Sequence, residues 1–268
     1  MLLVKKMRFL ASAAALAACG VLALGASAAT AQTVDQIKAK GGITVGMLVD
    51  FPPYGIVNTE NKPDGYDADV ARLLAKDLGV KVNLVPVTGP NRIPFLLTNK
   101  VDVLIASLAI TPARAEQVQF SKPYSAAQIV LFGAKDAKIS SAKDLSGLRI
   151  GVARASTQDI AVTKIAPKDA NIRRFDDDAS AMQALLSGQV DAIGCSTTVA
   201  AAISKRTPDR YAPKFVLLQQ EMAVAMRKGD PELLKAVNVF VEKNIKNGEL
   251  SKLYQKWLGS PLPVLKAS

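Results

Sequence analysis

Short apolar runs alternate with amphipathic helical patterns along this chain, and that alternation limits the folds open to it. In the first half, the sequence predicts strands at GITVGMLV, KVNLVPV and VDVLIAS, and helices at DADVARLLAKDLG, NRIPFLLTNK and TPARAEQV. Asp67 is expected to open the first helix, and Gly79 to end it. Strands that alternate with helices are typical of an α/β unit with a mostly parallel sheet.

The same alternation repeats in the second half of the chain. The sequence predicts strands at LRIGVAR, NIRRFDD, VDAIGC and FVLLQQ, and helices at TQDIAVTKI, DDASAMQALLSG and STTVAAAISK. Ser156 and Thr157 are the expected cap of the first helix, and Ser196 or Thr197 that of the third. A helical tail follows, with an apolar period near 3.6 residues. Connecting strands near 126–132 and 217–226 indicate that the second unit is inserted into the first, with a ligand cleft between them.

The first 31 residues have the features of a secretory signal peptide. A basic start, MLLVKKMRF, precedes an alanine- and leucine-rich stretch, and small residues suit cleavage near Ala28 or Ala31. The tetrapeptide ending in Cys19 also resembles a lipoprotein cleavage box, so lipidation there is the alternative. No later run approaches the roughly 20 apolar residues that a spanning helix needs. We therefore predict a protein exported to the periplasm.

The absence of histidine excludes several chemistries. Catalytic triads with histidine and histidine metal sites are not available to a chain with none. Cys195 is the one cysteine after the signal peptide, so no intramolecular disulfide is possible, and we expect no metal or other cofactor. The net charge of +11 falls to +8 without the three basic residues of the signal peptide. That surplus could attract an anionic ligand or lipid headgroups, although a solvated basic surface is the simpler interpretation. The basic residues are scattered, so nucleic acid is not an expected partner.

Eight segments carry a family resemblance when they are taken in order: FPPYG, GYDADVARLLAKDLGVKV, NRIPFL, VDVLIASLAITPARAEQVQFSKPY, DLSGLRIGVARASTQD, GQVDA, MAVAMRKGD and LYQKWLG. Together they resemble the polar-amino-acid type of periplasmic solute-binding protein of ABC importers, extracellular solute-binding family 3. The resemblance covers residues 35–260 and implies two α/β lobes joined by a two-strand hinge, closing on a ligand in the cleft. Lobe 1 is expected to comprise residues 32–127 and the returning segment 220–268, and lobe 2 residues 128–219. The resemblance also implies a monomer that delivers its ligand to a permease in the inner membrane.

The resemblance implies ligand-binding residues in lobe 1. Phe51 matches the aromatic residue that covers the ligand side chain. Arg114 matches the arginine that binds the α-carboxylate, for which a guanidinium offers a two-pronged, charge-assisted fit. Ser107 and Ala109 lie where the family uses a hydroxyl and backbone groups to hold both ends of an amino acid. Arg92 is a candidate for reaching an acidic ligand side chain, or else a solvated helix charge.

In lobe 2, the resemblance places Ser156 and Thr157 at a helix start whose free N–H groups would meet the same carboxylate. The strand after GQVDA in this family ends in an aspartate that pairs with the α-ammonium, and that position is Ser196 here. Two expectations follow: Ser196 makes a neutral contact with an amino acid, or the ligand is a carboxylate without a free α-ammonium. Asp191 is expected to be structural, and Cys195 to pack as a small apolar residue.

Gly89 occupies a position where many members carry a larger side chain, which suggests room for a bulkier ligand. The main alternative function is an enzyme, since cyclohexadienyl dehydratases use the same fold. That chemistry needs a positioned proton donor, and the missing acid at position 196 and the absent histidines argue against it. A sensory role would require a separate membrane partner.

Overall fold

The computed structural model describes residues 33–265, so the predicted signal peptide of residues 1–31 and the alternative at Cys19 lie outside the described residues. The helices are α1 Val34–Ala39, α2 Tyr66–Leu78, α3 Arg92–Leu97, α4 Pro112–Ala115, α5 Thr157–Ile165, α6 Asp178–Leu186, α7 Thr197–Arg206, α8 Pro231–Lys246 and α9 Glu249–Leu258, with a 3-10 turn at Ala142–Leu145. The strands are β1 Gly42–Leu48, β2 Ile56–Val57, β3 Pro63–Asp64, β4 Lys81–Val87, β5 Val103–Leu104, β6 Gln119–Ala134, β7 Arg149–Ala153, β8 Asn171–Phe175, β9 Ala192–Ser196 and β10 Tyr211–Met226.

Eight strands form one continuous sheet in the order β4-β1-β5-β10-β6-β9-β7-β8. At one end β1 pairs in parallel with β4 and β5, and at the other β7 pairs in parallel with β8 and β9. Between them run β6 and β10, two antiparallel strands of 16 residues each. The predicted α/β fold of two lobes joined by two strands is confirmed, because each parallel set belongs to one lobe and the long pair connects them.

Two predicted elements differ from the observed ones. Helix α2 begins at Tyr66, with Gly65 at its N-cap, and Asp67 turns into the core instead of capping the helix. The run VDVLIAS pairs as a strand over Val103–Leu104 alone. Its remainder enters a loop in which Ser107 has a φ of 48°, a left-handed conformation that ends the extended backbone.

A group of tyrosines joins the lobe 1 core to the hinge. Tyr54 and Tyr254 both donate their hydroxyls to the carbonyl oxygen of Ala126 in β6, at 3.4 and 3.1 Å. Tyr66 donates to the carbonyl oxygen of Tyr124 at 3.0 Å, and the two rings stack. Because buried aromatic rings contribute large apolar areas and their hydroxyls find partners here, this layer holds the start of β6 against α2 and α9.

Within residues 33–265, no helix combines the length and apolar character that crossing a membrane requires. In the same range, no three acidic, cysteine or histidine side chains lie close enough together to hold a metal ion.

Candidate ligand-binding site between the lobes

A small cavity lies where the two lobes meet. Of the residues implied by the family resemblance, those that line it are Phe51, Arg92, Ser107, Arg114, Ser156 and Thr157. Further polar residues in the lining are Asp50, Arg154, Gln158, Asp176, Asp177, Asp178 and Gln220. The cavity volume is about 20 Å³, room for about one water molecule. An amino acid could therefore enter only after the lobes separate.

The parallel strands of each lobe explain why the cavity forms here. Asp50 follows the carboxyl end of β1, Ser156 follows that of β7, and residues 176–178 follow that of β8. In open α/β sheets, ligands bind in the crevice outside the carboxyl ends of the strands. The loops after these strand ends line one cavity from both lobes.

Arg114 is the charge in the cavity whose hydrogen bonds best indicate the kind of ligand. It is 8% exposed, and its guanidinium donates to the carbonyl oxygens of Ala109 at 2.9 Å and of Ala155, in lobe 2, at 3.0 Å. It forms no ion pair with any described residue. Burial, and then the charge of Arg92, lower the pKa of Arg114 to about 9. A buried guanidinium bonded to carbonyls alone is suited to an added carboxylate.

Arg92 is the second buried guanidinium, at 5% exposure. It donates to the carbonyl oxygens of Gly89 at 3.3 Å and of Ala106 at 3.0 Å, and it too forms no ion pair with a described residue. Burial lowers its pKa, while the nearby charges of Asp178 and Asp50 raise it. Arg92 is therefore a buried charge of the cleft and not a solvated one on the helix surface.

The start of α5 faces the cavity from lobe 2. Ser156 is its N-cap: the hydroxyl accepts from the N–H of Asp159 at 3.1 Å and donates to the carbonyl oxygen of Ala153 at 2.6 Å. Thr157 bonds to Gln220 of β10 through its hydroxyl. The first N–H groups of a helix have no intrahelical acceptor, and the helix dipole favours an anion there.

The loop before α5 carries backbone strain. Ala155, whose carbonyl oxygen accepts from Arg114, has a φ of 59°. A non-glycine residue in this region of φ is uncommon and typically occurs where surrounding structure imposes it, often at functional sites. Ser107, on the opposite wall, has the same kind of conformation. The strained positions thus flank the cavity on both sides.

Ser107 belongs to a fully bonded cluster around Asp67. The two carboxylate oxygens of Asp67 accept from the hydroxyl of Ser107 and that of Tyr124, both at 2.7 Å. Asp67 is fully buried, and burial raises its pKa to about 6 in spite of these bonds. The hydroxyl of Ser107 is thereby committed to the core. Ala109 reaches the site through its carbonyl oxygen, which orients Arg114.

Two carboxylates, one from each lobe, approach each other at the junction. The N–H of Asp178 donates to Oδ2 of Asp50 at 3.2 Å, and the carboxylate of Asp178 accepts from Gln158 at 2.7 Å. Oδ1 of Asp50 is shielded from solvent and has no hydrogen-bond partner among residues 33–265. Burial, and then the charge of Asp50, raise the pKa of Asp178 to about 7, and burial also raises that of Asp50.

Gly89 lies where the backbones of the two lobes approach each other closely. A Cβ at this position would lie 2.9 Å from the carbonyl oxygen of Arg154, closer than side-chain carbons approach a carbonyl oxygen. The space beside Gly89 is therefore taken up by the backbone of the opposite lobe. The sequence suggested room for a bulkier ligand there, whereas in this conformation the missing side chain permits closure.

Phe51 covers one side of the cavity. It is buried, and its ring stacks on that of Tyr54 with centroids 5.4 Å apart and planes 15° from parallel. The backbone of Phe51 bridges to Gly55, which holds the loop as a tight turn. The ring is therefore a fixed apolar wall.

Ser196 does not line the cavity. It is 0% exposed, and its hydroxyl caps α7 by accepting from the N–H of Val199 at 3.2 Å, while it also bonds to Thr198. Cys195 packs in the core, and burial raises the pKa of its thiol. Asp191 lies outside the cavity and pairs with Arg149 at 2.5 Å, the structural role expected of it.

Sequence reasoning missed several cavity residues: Asp50, Gln158, Asp178 and Gln220. A signal for one of them existed. Three consecutive aspartates, 176–178, lie where the predicted strand NIRRFDD passes into the predicted helix DDASAMQALLSG, at the edge of the sheet where ligands bind. Gln220 had no such signal, because its role depends on where the middle of a long strand passes.

A wider depression, of about 1050 Å³, lies at the outer end of lobe 2. Six of its seven charged residues are exposed: Lys135, Asp136, Lys138, Asp144, Asp209 and Arg210. It contains none of the residues that the family resemblance implies, so the smaller cavity between the lobes is the candidate site.

Comparisons with known proteins agree with the fold. Residues 43–260 match the family of bacterial extracellular solute-binding proteins, family 3. The L-cystine-binding protein TcyJ of Escherichia coli K12 is 31% identical over 230 residues, covering 85% of this chain and 86% of that protein.

Two solved structures have similar folds. An ancestral arginine-binding protein bound to arginine has a TM-score of 0.77 and 38% identity, with 82% of this chain and 99% of that one covered. The ancestral amino acid-binding protein AncCDT-1, a precursor of cyclohexadienyl dehydratase, has a TM-score of 0.79 and 36% identity, with 84% and 99% covered. With the match over residues 43–260, these likenesses establish that the chain belongs to family 3 of the bacterial extracellular solute-binding proteins.

Proposed function

We propose that this protein binds an amino acid or a closely related small carboxylate between its lobes and delivers it to the permease of an ABC importer in the inner membrane. It works in the periplasm as a monomer, after removal of residues 1–31, and needs no metal or other cofactor. The lobes divide near residues 127 and 219, within β6 and β10, and these two strands act as the hinge. The ligand is released unchanged.

The observation that carries this proposal is the unpaired guanidinium of Arg114. A buried charge without a counter-ion is costly, and a ligand carboxylate would supply the missing partner in a water-poor space. The N-terminus of α5 favours the same negative charge from lobe 2. Because the two contributions come from different lobes, a bound carboxylate stabilises the closed conformation.

The other lining residues have roles that fit a small amphipathic ligand. Phe51 supplies an apolar surface for the side chain, and Ser156 and Thr157 bring backbone N–H groups to the carboxylate. Arg92 adds positive charge on the lobe 1 side. Ser107 contributes through its backbone, because its hydroxyl is bonded to Asp67.

Thermal unfolding and isothermal titration calorimetry with the standard L-amino acids and L-cystine test the proposal. A ligand that binds the folded state alone adds about 2.7 kcal/mol of stability at a hundredfold excess over Kd, which raises the midpoint by several degrees. Arg114→Gln should abolish the shift, while Arg227→Gln, at a buried arginine that does not line the cavity, should retain it. A folded protein that gives neither a shift nor heat with any of these compounds contradicts the proposal.

A second candidate function is a dehydratase, and the observation in its favour is Asp178. A cavity acid with a pKa raised to about 7 can donate a proton to a leaving hydroxyl at neutral pH. Prephenate or arogenate would then lose carbon dioxide and water to leave an aromatic ring. Incubation with each, followed by ultraviolet detection of the product, decides the matter: no aromatic product excludes the dehydratase, and turnover that Asp178→Asn abolishes supports it.

A further inference from the structure

The cavity lacks an acid from β9, the strand whose end is Ser196. The hydroxyl of Ser196 is used within its own loop and helix, and no part of the residue lines the cavity. A ligand ammonium therefore has no charged partner at that strand. If an amino acid binds here, its cation must be compensated elsewhere.

Asp50 and Asp178 provide such a place. They face each other across the lobe junction, and neither carboxylate forms an ion pair with a described residue. One carboxylate oxygen of Asp50 is shielded from solvent and accepts no hydrogen bond from residues 33–265. A shielded carboxylate oxygen without a donor is costly in free energy, and two neighbouring carboxylates repel each other. A cation between them would remove both costs.

Asp178 lies near β9. Gln158 donates to its carboxylate at 2.7 Å and packs against Gly194 of β9, where an added Cβ would lie 3.1 Å from the Cβ of Gln158. Helix α6, which begins at Asp178, also contacts β9. The start of α6 also favours the anionic form of Asp178, because the helix dipole is positive there. Asp178 at the start of α6 would therefore supply the negative charge that β9 lacks.

The buried arginines give an independent indication of ligand charge. Arg92 and Arg114 are 5% and 8% exposed, line the same cavity and have carbonyl oxygens as their hydrogen-bond partners among the described residues. The cavity thus holds unpaired cations as well as under-bonded carboxylates. These charges do not neutralise one another through direct contact, and a zwitterion would compensate both kinds.

We propose that Asp50 and Asp178 together bind the α-ammonium group of an L-amino acid, in place of an acid on β9. This inference rests on the proposed function and makes it narrower, since it excludes carboxylates without a free α-ammonium as the main ligand. Asp50 closes on the ammonium from lobe 1 and Asp178 from lobe 2. The ammonium therefore bridges the lobes, as the carboxylate does at Arg114 and α5.

Calorimetry with matched ligand pairs tests the inference on the unaltered protein. One pair is L-arginine and δ-guanidinovaleric acid, which lacks the α-ammonium; the other is L-cystine and dithiodipropionic acid. The amino acid should bind at least about 100-fold more tightly than its deamino analogue, because two charged contacts are lost. Equal affinities within a pair that binds would overturn the inference.

Variants then locate the contact. Asp178→Asn and Asp50→Asn should each lower the affinity for the amino acid by about 10- to 100-fold. The affinity for the deamino analogue should fall by less than about threefold. Asp136→Asn, which removes an exposed carboxylate of lobe 2, should change neither. Thermal unfolding confirms that each variant is folded.

The outcomes separate the two proposals. If an amino acid binds but both variants lower its affinity and that of its analogue equally, the ammonium contact is wrong and the proposed function stands. If the deamino analogues alone bind, the inference also fails and carboxylate transport remains. If the folded protein binds no member of either pair and no other amino acid, the proposed function fails, and the inference with it.

Discussion

Asp67 in lobe 1 and Asp178 at the lobe junction both have a pKa raised by burial, to about 6 and about 7. Asp67 accepts short hydrogen bonds on both oxygens, from Ser107 and Tyr124. Asp178 accepts one from Gln158 and lies beside Asp50, which retains an oxygen without a donor among the described residues. A buried polar cluster that is fully bonded stabilises one arrangement of the core, whereas an under-bonded one is suited to a ligand.

The largest effect should come from breaking the complete cluster. Asp67→Ala leaves the buried hydroxyls of Ser107 and Tyr124 without their acceptor, so the free energy of unfolding should fall by about 2–5 kcal/mol. Urea unfolding measures this. Asp178→Ala, at pH 8, should cost less than about 1 kcal/mol, since it also removes a repulsion with Asp50. Equal losses in the two variants would contradict the comparison.

The buried arginines Arg114 and Arg227 should also differ, the first affecting ligand affinity and the second stability. Arg114→Ala should weaken ligand binding by about 100-fold, because a charge-assisted pair with the carboxylate is lost. Arg227 is also buried, but it donates to the carbonyl oxygens of Leu96 and Val101 deep in lobe 1. Arg227→Ala should lower the unfolding free energy and leave Kd within about twofold. Calorimetry and urea unfolding of both variants check this, and similar losses of affinity would count against it.

The pH dependence of stability gives a third test. The native pKa of Asp178 is raised from 3.8 to about 7, so between these pH values the folded state binds more protons than the unfolded one. Stability from this group is therefore lost as the pH rises from about 4 to about 7. Burial is the main cause of the raised pKa; the charges of Asp50 and Asp177 raise it further, whereas Arg92 and the hydrogen bond from Gln158 lower it.

Asp178→Asn should remove that loss. Relative to the unaltered protein, the variant should gain on the order of 1–3 kcal/mol by pH 8, allowing for partial screening by water, and nothing near pH 4. The contribution of Asp67 has the same sign but is present in both proteins, so it cancels in the difference. Urea unfolding across this pH range measures the gain, and a pH-independent difference would show that Asp178 ionises normally.

Ser196 should behave as part of the core. Ser196→Ala removes the N-cap of α7, which should cost about 1 kcal/mol of unfolding free energy. Ligand affinity should stay within about twofold. A tenfold loss of affinity in calorimetry would return the ammonium contact to β9 and away from Asp50 and Asp178.

The smallest effect should come from the contact between the lobes. Gly89→Ala places a methyl group 2.9 Å from the carbonyl oxygen of Arg154, so closure becomes less favourable and affinity should fall by about three- to tenfold. Unfolding of the ligand-free protein should hardly change, because open lobes avoid the clash. Gly42→Ala, whose Cβ has its nearest neighbour at 3.5 Å in the same lobe, is the control. Unchanged affinity in Gly89→Ala would mean that the lobes do not close this far on the ligand.

Much of the fold could be predicted because it depends on local patterns. Strand and helix periodicity gave the order of elements, and serine caps such as Ser156 marked helix starts. Asp67 was predicted to open α2, whereas the helix begins one residue earlier at Tyr66, with Gly65 at the N-cap. The carboxylate of Asp67 accepts a hydrogen bond from Tyr124 of a distant strand. No local pattern contains that contact.

The features of the candidate site also differ in whether local sequence patterns could predict them. The amino-acid sequence by itself determined that histidine chemistry is absent and that two α/β units follow each other, and the family resemblance predicted Arg114 and Ser156 as contacts of a carboxylate. The tertiary structure alone decided that Ser196 is turned away and that Asp50 meets Asp178, because these residues are far apart in the chain and come together only when both lobes are folded and closed. Contacts between loops of different lobes depend on where the strands lie and on how far the lobes close. The spacing of neighbouring residues encodes neither the strand positions nor the closure.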